Sequence, residues 1–351
     1  MKFALRIMLG ILALVAAIAF VTLASLGFFT LVEYRPEPEE SVEFTSFAEP
    51  VRLGEKLALV TFNIGYGALG KDQDFFMDGG KDVLPANIEV TRTNLAGAAE
   101  LLKAEHADFY FIQEVDIDAR RSFGIDQFEF FKEELGMPGA FALNMNAFFV
   151  PYPLPPLGHT ESGIANLSKR HVTAATRISL PGAFKWPVST CNFKRCMLVT
   201  RTPVEGTGRE LVLANFHLDA FDDGEGKKAQ SRAAREFLAA ELAKGNYVIA
   251  GGDFNQTFEG MEKYPTINRE IWQPGHITQS EIPDRFSFAV SDNAPTCRVA
   301  NEPYRPETSQ VYVLDGFLVS EGVKVLGVRN LDAGFEYSDH NPVRLEFSLM
   351  P

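Results

Sequence analysis

Four apolar residues, Tyr247-Val-Ile-Ala250, run directly into two glycines and then Asp253-Phe-Asn255. The run fits a buried strand, and the glycine pair lets the backbone turn tightly at its end. Asp253 and Asn255, at i and i+2, then project to one side of the chain. A carboxylate acceptor and an amide donor placed there suit orienting a water and gripping a phosphoryl oxygen, in the strand-end crevice where α/β sheets usually carry sites. Gly, Asp and Asn are also ordinary turn residues, so the rest of the chain decides between turn and site.

The same shape recurs. Leu57–Asn63 reads as a short strand ending in Asn63, with Gly65 and Gly67 after it, and Asp108–Glu114 as an apolar strand ending in an acid. Leu211–His217 presents Asn215 and His217 at i, i+2. Val311–Asp315 reads as a further strand ending in an acid, and Ser338-Asp339-His340-Asn341-Pro342 leads into a last strand, Val343–Leu349. A carboxylate that accepts from imidazole fixes its tautomer and raises its proton affinity, which makes Asp315 the candidate partner of His340. Singly, these residues read as a solvated acid, a structural histidine or a turn. Together they form a carboxylate and carboxamide cluster with two histidines and no thiol, the ligand set of a hard cation such as Mg²⁺ and a poor fit to zinc.

Between these strands, residues 87–106 and 227–244 carry helical periodicity or length, and Tyr66–Pro85 reads as a long functional loop. Asp116, Asp118, Arg120 and Arg121 form a mixed-charge loop with no assignable role. Residues 147–158 are too rich in proline for an interior helix. They read either as an edge strand and lid on the core or as an exposed apolar loop that touches lipid or substrate. Phe184-Lys185-Trp186 carries the same two readings.

The N-terminus is of another kind. Lys2 and Arg6 precede an uncharged run from Ile7 to Val32, long enough at about 1.5 Å per residue to cross a hydrocarbon core of roughly 30 Å. A cleaved signal with a site at Ala17-Ile18-Ala19 is the rival, but the run exceeds the roughly 7–15 residues of a secretory core. Residues 1–32 are therefore expected to be an uncleaved anchor, 33–55 a linker or strap, and 56–351 the catalytic domain. The basic flank predicts a cytoplasmic N-terminus, hence a single-pass cell-membrane protein with its body on the extracytoplasmic side. Every acid lies after Val32, so the body is more acidic than the whole chain's net charge of −13, which disfavours nucleic acid as a partner. In that compartment Cys191 and Cys196 are permitted a disulfide, and three free buried thiols are the equal alternative.

The ordered set TFN (61–63), IQE (112–114), NFH (215–217), GDFN (252–255), LDGFLVS (314–320) and SDHNPV (338–343) resembles the endonuclease/exonuclease/phosphatase superfamily. That group includes pancreatic-type deoxyribonucleases, abasic-site endonucleases, neutral sphingomyelinases and inositol-polyphosphate phosphatases. The resemblance runs from about Lys56 to the C-terminus. It implies a four-layered α/β sandwich, two packed mixed sheets flanked by helices, with the site at one edge. By the same resemblance Glu114, helped by Asn63, would hold Mg²⁺ (Mn²⁺ as the alternative). Asp253 would orient or deprotonate the attacking water, and Asn255 would hold the phosphoryl group. His340, oriented by Asp315, would neutralise transition-state charge, His217 would protonate the leaving oxygen or bind phosphate, and Asp339 would serve the metal shell or position water. Those roles match in-line phosphoryl displacement, which is mostly positioning and charge stabilisation.

For the substrate, the Trp-Cys-Asp-Arg signature of inositol-polyphosphate 5-phosphatases is missing, Pro295-Thr-Cys-Arg298 being a partial echo. Ser162-Gly163 followed by Ser168-Lys169 is similar to the matching stretch of bacterial sphingomyelinases. The expectation is a membrane-anchored, Mg²⁺-dependent hydrolase of a lipid head-group phosphodiester. The alternatives are an extracellular nuclease and a membrane-tethered binding module that has lost catalysis.

Overall fold

Strands that are apolar at almost every position need a packing layer on each side, and this chain supplies both. The structure is a computed structural model that describes residues 2–182, 184–221, 225–261 and 263–351. In Glu210–His217 (β8), Leu211 and Leu213 enter the core between two sheets, while Val212, Ala214 and Phe216 face outward into a second cluster.

The first sheet has the order Glu39–Ser41 (β1), Ala174–Ser179 (β6), Cys196–Pro203 (β7), β8, Tyr247–Asp253 (β9), Asp315–Ser320 (β15), Phe286–Ala289 (β12). The second runs Val323–Asn330 (β16), Val343–Leu349 (β17), Leu57–Asn63 (β2), Phe109–Ala119 (β3), Gly158–Ser168 (β5), Gly139–Val150 (β4). Two short ribbons, Gln256–Phe258 with Gly275–Ile277 (β10, β11) and Cys297–Arg298 with Val311–Tyr312 (β13, β14), complete the strands among the described residues. Leu57, Leu59, Phe109 and Phe111 of one sheet meet Ile249, Phe317 and Val319 of the other in the central core. Outside the second sheet, Ile88–Glu105 (α2) and Gln127–Leu135 (α3) bring Leu95, Leu102 and Phe131 onto Phe62, Tyr110 and Ile112. Outside the first, Glu225–Ala243 (α4) brings Ala234 and Leu238 onto Val212 and Val248. The layers are thus helix, sheet, sheet, helix, the expected four-layered α/β sandwich.

Helix α2 starts where Asn87 accepts from the amides of Glu89 and Val90, a cap worth about 1 kcal/mol. It links β2 to its parallel neighbour β3, as α4 links β8 to parallel β9. Parallel pairing sets Asn63 opposite Gln113 in one sheet and His217 opposite Asp253 in the other. Gly252, at φ +135°, allows the second approach, since a Cβ there would stand 2.0 Å from the Phe216 carbonyl oxygen.

Three local readings change. Asp315 does not end a strand running from Val311; it opens β15, which is antiparallel to β9 and sets Asp315 opposite Asp253. An acid at the start of an antiparallel strand reaches the same edge as an acid at the end of its neighbour. Strand β3 does not stop at Glu114 but continues to Ala119, with a register shift between Gln113 and Val115 that leaves Glu114 bulged out at φ +55°. Asp116 and Arg121, read from sequence as loop charges, are both buried, and Asp116 accepts two hydrogen bonds from the guanidinium, at 3.0 and 2.9 Å.

Residues 147–158 divide between the two readings: β4 is an edge strand through Val150, and the segment after it exposes Tyr152 and Leu154. The three cysteines are free and buried. Cys191 packs with Met145 and Val150, Cys196 with Ala140 and Leu198, so the two sulfurs sit in different clusters. Lys2–Leu31 (α1) is a largely exposed helix, long and apolar enough to span a membrane. The stretch after it lies along the body, with Glu39–Ser41 paired to β6 and Val51 bridged to Val204.

Candidate active site

One edge of the two sheets gathers eight of the nine residues singled out by the sequence: Asn63, Glu114, His217, Asp253, Asn255, Asp315, Asp339 and His340. Asn63 sits at the centre. Its Nδ2 donates to Glu114 Oε1 at 3.1 Å and to Asp253 Oδ2 at 3.0 Å, and its Oδ1 accepts from the amide of Gly65 at 3.0 Å. Asp253 Oδ2 also lies 3.4 Å from His217 Nε2 and 3.6 Å from His340 Nε2. One buried carboxylate thus stands between two imidazoles. Its other oxygen accepts from the amide of Asn255 at 2.8 Å, which holds Asn255 at φ +49°. Glu114 and Asn255 both occupy the left-handed region, a strain of order 1–3 kcal/mol each that folds retain mainly at functional sites.

His340 Nδ1 is 2.9 Å from Asp315 Oδ2, so the proton on that nitrogen is fixed. Ser338 Oγ donates to the Asn63 carbonyl at 2.8 Å and lies 3.2 Å from Asp339 Oδ1. Glu114, His217, Asp253, Asn255, Asp339 and His340 line a single cleft of about 260 Å³; Asn63 and Asp315 lie buried beneath it. Asn215 is not part of it. Although on the same face of β8 as His217, it sits one step deeper and bonds across the core, to Gln113 at 2.7 Å and to the Ala165 carbonyl at 3.0 Å.

The charges are set by burial and by neighbours. Burial pushes the Asp253 carboxyl up to about 6, with the Asp315 charge adding to it against the pull of His340, the Asn255 amide and Asn63. Burial also raises Asp339 to about 6; His340 opposes the rise and Glu114 adds to it. Burial works against a charge on His340, but Asp315 and Asp253 outweigh it and hold the group well above the usual imidazole range. His217 is the opposite case: burial, Arg195, His340 and Arg121 together hold it well below that range, so it is neutral at pH 7. Its Nδ1 is buried without a hydrogen-bond partner. The two histidines therefore differ in charge within one cleft, a difference of the kind that separates roles in a site.

A carboxyl whose folded pKa lies above its unfolded value binds more protons in the folded state, so stability falls as pH rises from about 4 to about 6. Asp339→Asn is accordingly expected to raise the melting temperature at pH 7.5 in EDTA, by a free energy on the order of 1–3 kcal/mol. Scanning calorimetry at pH 7.5 and pH 4 checks this, since the gain should vanish at the lower pH.

Several lining residues escape a sequence reading. Arg121 donates to Asp116 and lies 3.8 Å from the centre of the Tyr66 ring; Arg195 donates to Asp219 at 3.0 Å and lies 4.0 Å from the Phe193 ring. Both arginines line the cleft, as do Asp78 and Trp272. Asp78 is raised to about 7 by burial, against a hydrogen bond from the Ala300 amide. Asp219 continues the i, i+2 alternation from Asn215 and His217, a signal available in the sequence.

The carboxylates also suit a hard cation. Glu114 and Asp339 offer oxygen, while Asn63, expected to help hold the ion, turns its Nδ2 to Glu114 and spends its Oδ1 on the Gly65 amide, so it orients the carboxylate. The nearby thiol of Cys297 is pushed up to about 12 by burial, so it remains protonated and offers no thiolate. A second trio, Asp253, Asp315 and His340, brings ligand atoms within 4.8 Å of one another. There Nδ1 of His340 is already taken by Asp315 and the imidazole is held protonated, so that trio forms a charge network.

No curated protein matches the chain at significance. Solved structures do match in fold. An endonuclease/exonuclease/phosphatase from Beutenbergia cavernae DSM 12333 aligns with TM-score 0.59 and 18% identity, over 84% of this chain and 72% of that one. ANGEL2, a 2′,3′-cyclic phosphatase, aligns at 0.54 and 15%, over 88% and 98%. The human nocturnin catalytic domain with bound sulfate aligns at 0.50 and 19%, over 88% and 98%. The model of the Endonuclease/Exonuclease/phosphatase family matches residues 60–340. This span runs from the middle of β2 to His340 and takes in every strand end that builds the cleft. The chain belongs to the endonuclease/exonuclease/phosphatase family and is a metal-dependent phosphoester hydrolase.

Proposed function

We propose that this hydrolase is anchored in the cell membrane by α1, with its body on the extracytoplasmic side, and that it uses Mg²⁺ to cleave the phosphodiester of a lipid head group. The observation that carries this reading is the make-up of the cleft. The polar side chains of Glu114, His217, Asp253 and His340 share the cleft with apolar lining residues that include Val150, Leu157, Val188, Phe193, Phe75 and Met77. Such a cleft suits a phosphate that carries an apolar body. The net charge of −13 favours this over a nucleic-acid duplex.

Glu114 and Asp339 are the residues that would hold Mg²⁺, or Mn²⁺ in its place, with Asn63 helping by fixing the Glu114 carboxylate through its amide nitrogen. When bound, such a cation supplies Lewis-acid stabilisation of charge on the phosphoryl oxygens. The chain's own groups do the rest. Asp253 holds the attacking water and takes its proton, which its raised pKa suits near neutral pH. Charged His340, oriented by Asp315, faces the negative charge that grows on the phosphoryl group. Asn255 uses one amide proton on the Leu218 carbonyl at 2.9 Å and has the other for a phosphoryl oxygen. His217, being neutral, binds phosphate or the leaving oxygen as a hydrogen-bond donor; protonating that oxygen is the role its lowered pKa makes harder.

The test is head-group or phosphate release by the full chain in liposomes containing sphingomyelin, glycerophospholipids or phosphoinositides, beside plasmid DNA and RNA, with Mg²⁺ or EDTA. Release from one lipid class, reduced at least 100-fold by EDTA, is expected. Cleavage of DNA or RNA alone would make the protein an extracellular nuclease. No turnover by folded, Mg²⁺-binding protein would favour the binding module.

A further inference from the structure

The last turn of α1 is locked onto the body beside the mouth of the cleft. The ring of Phe28 meets that of Phe148 edge-on at 5.2 Å, Trp186 Nε1 donates to Thr30 Oγ1 at 3.0 Å, and Lys194 Nζ is 2.7 Å from Glu33 Oε1. Around this joint two loops expose large apolar side chains: Phe148, Phe149, Tyr152 and Leu154 from the end of β4 and the turn after it, Trp186 and Val188 from the other. Leu154 is 86% exposed and Trp186 59%. Single exposed apolar residues are ordinary, but a contiguous group at the foot of an apolar helix marks an interaction surface. The loops touch each other, with Asn192 Nδ2 donating to the Tyr152 hydroxyl at 3.3 Å.

We propose that these two loops form a second membrane contact, seated on the bilayer that α1 spans, so that the cleft opens at the lipid surface. The inference rests on the reading of α1 as a membrane span. Three features favour a bilayer over a protein partner. The patch is continuous with the end of the helix at Phe28 and Thr30, where a span leaves the hydrocarbon. Its composition is aromatic with adjacent lysine, the make-up of the membrane–water interface. The tip also contains Pro151, Pro153, Pro155 and Pro156, which have no backbone N–H, so moving the tip out of water strands fewer donors. The Pro156 carbonyl accepts from the Arg120 guanidinium at the loop's base. Tyr152 and Val188 belong both to this patch and to the cleft wall, so a surface that holds the patch also meets the cleft.

The experiment uses the full chain in liposomes with phosphatidylcholine brominated on its acyl chains. The sequence holds two tryptophans, so Trp272→Phe leaves Trp186 as the only indole, and Leu154→Trp with Trp186→Phe and Trp272→Phe moves the reporter to the loop tip. Both reporters are expected to be blue-shifted and quenched at least twofold by brominated lipid. Unquenched, water-like emission at the tip would overturn the contact, and blue-shifted but unquenched emission would do so in favour of packing against a second copy of the chain. The double variant Phe149→Ser with Leu154→Asp should retain its rate on a soluble chromogenic phosphodiester within twofold while losing about tenfold on lipid in liposomes. Loss on both substrates would count against the contact. Quenching without any lipid turnover would keep the contact and sink the lipid-substrate reading instead.

Discussion

Asp253→Asn is expected to lower kcat on a soluble chromogenic phosphodiester by roughly 10²–10⁴-fold, the span of a lost general base. The substitution keeps the volume and the oxygen that accepts from the Asn255 amide at 2.8 Å, so the backbone turn survives. It removes the negative charge shared between His217 and His340 and turns an amide group toward either those imidazoles or the donating Asn63. The wild-type rate should fall as pH drops through about 6, where Asp253 takes up its proton, and the residual rate of the variant should lack that acid limb. A pH profile of kcat from 4.5 to 9 for both proteins, with circular dichroism to confirm folding, decides the matter. Full activity in Asp253→Asn would remove Asp253 from the chemistry.

His340→Gln should cost about 10²–10³-fold in kcat, the loss seen when a single preorganised donor to a developing oxyanion is removed. The partner variant is more diagnostic. Asp315→Asn leaves the ring in place but withdraws the carboxylate that holds His340 protonated. A group whose pKa is raised keeps its charge to higher pH. Wild-type enzyme should therefore hold its rate into the alkaline range, and Asp315→Asn should lose it at a lower pH. Superimposable alkaline limbs would show that His340 does not act as the cation.

The strands that carry the site were legible because each is a short apolar run closed by a polar residue, and burial on both faces leaves that residue little choice but the edge. Val343–Leu349 forms as the pattern indicates, whereas the strand from Tyr247 does not turn at the glycine pair but runs on through Gly251 and Gly252, both paired in the sheet, to Asp253. Asp315 was found for the right edge through the wrong strand, since sequence does not show whether a strand approaches an edge or leaves it. The bulge at Glu114 was hidden because period-two alternation does not register one inserted residue. Arg121 and Arg195 were missed for a different reason. Each is recognisable only with its partners, Asp116 and Tyr66 for one, Asp219 and Phe193 for the other, and one partner of each pair, Tyr66 and Asp219, arrives from farther away in the chain. The exposed patch near α1 was visible as composition, but its place beside the cleft depends on tertiary packing alone.

The amide of Asn63 holds Glu114, from its own sheet, and Asp253, from the opposite one. A single nitrogen therefore rivets the carboxylate proposed to hold the cation to the one proposed to activate water. Neither sheet alone owns a working unit. A core substitution that slides one sheet against the other, such as at Phe109 or Phe317, would detune the enzyme without touching a reactive group. Activity in this protein is in that sense a gauge of inter-sheet alignment, sensitive to loosening well before either layer melts.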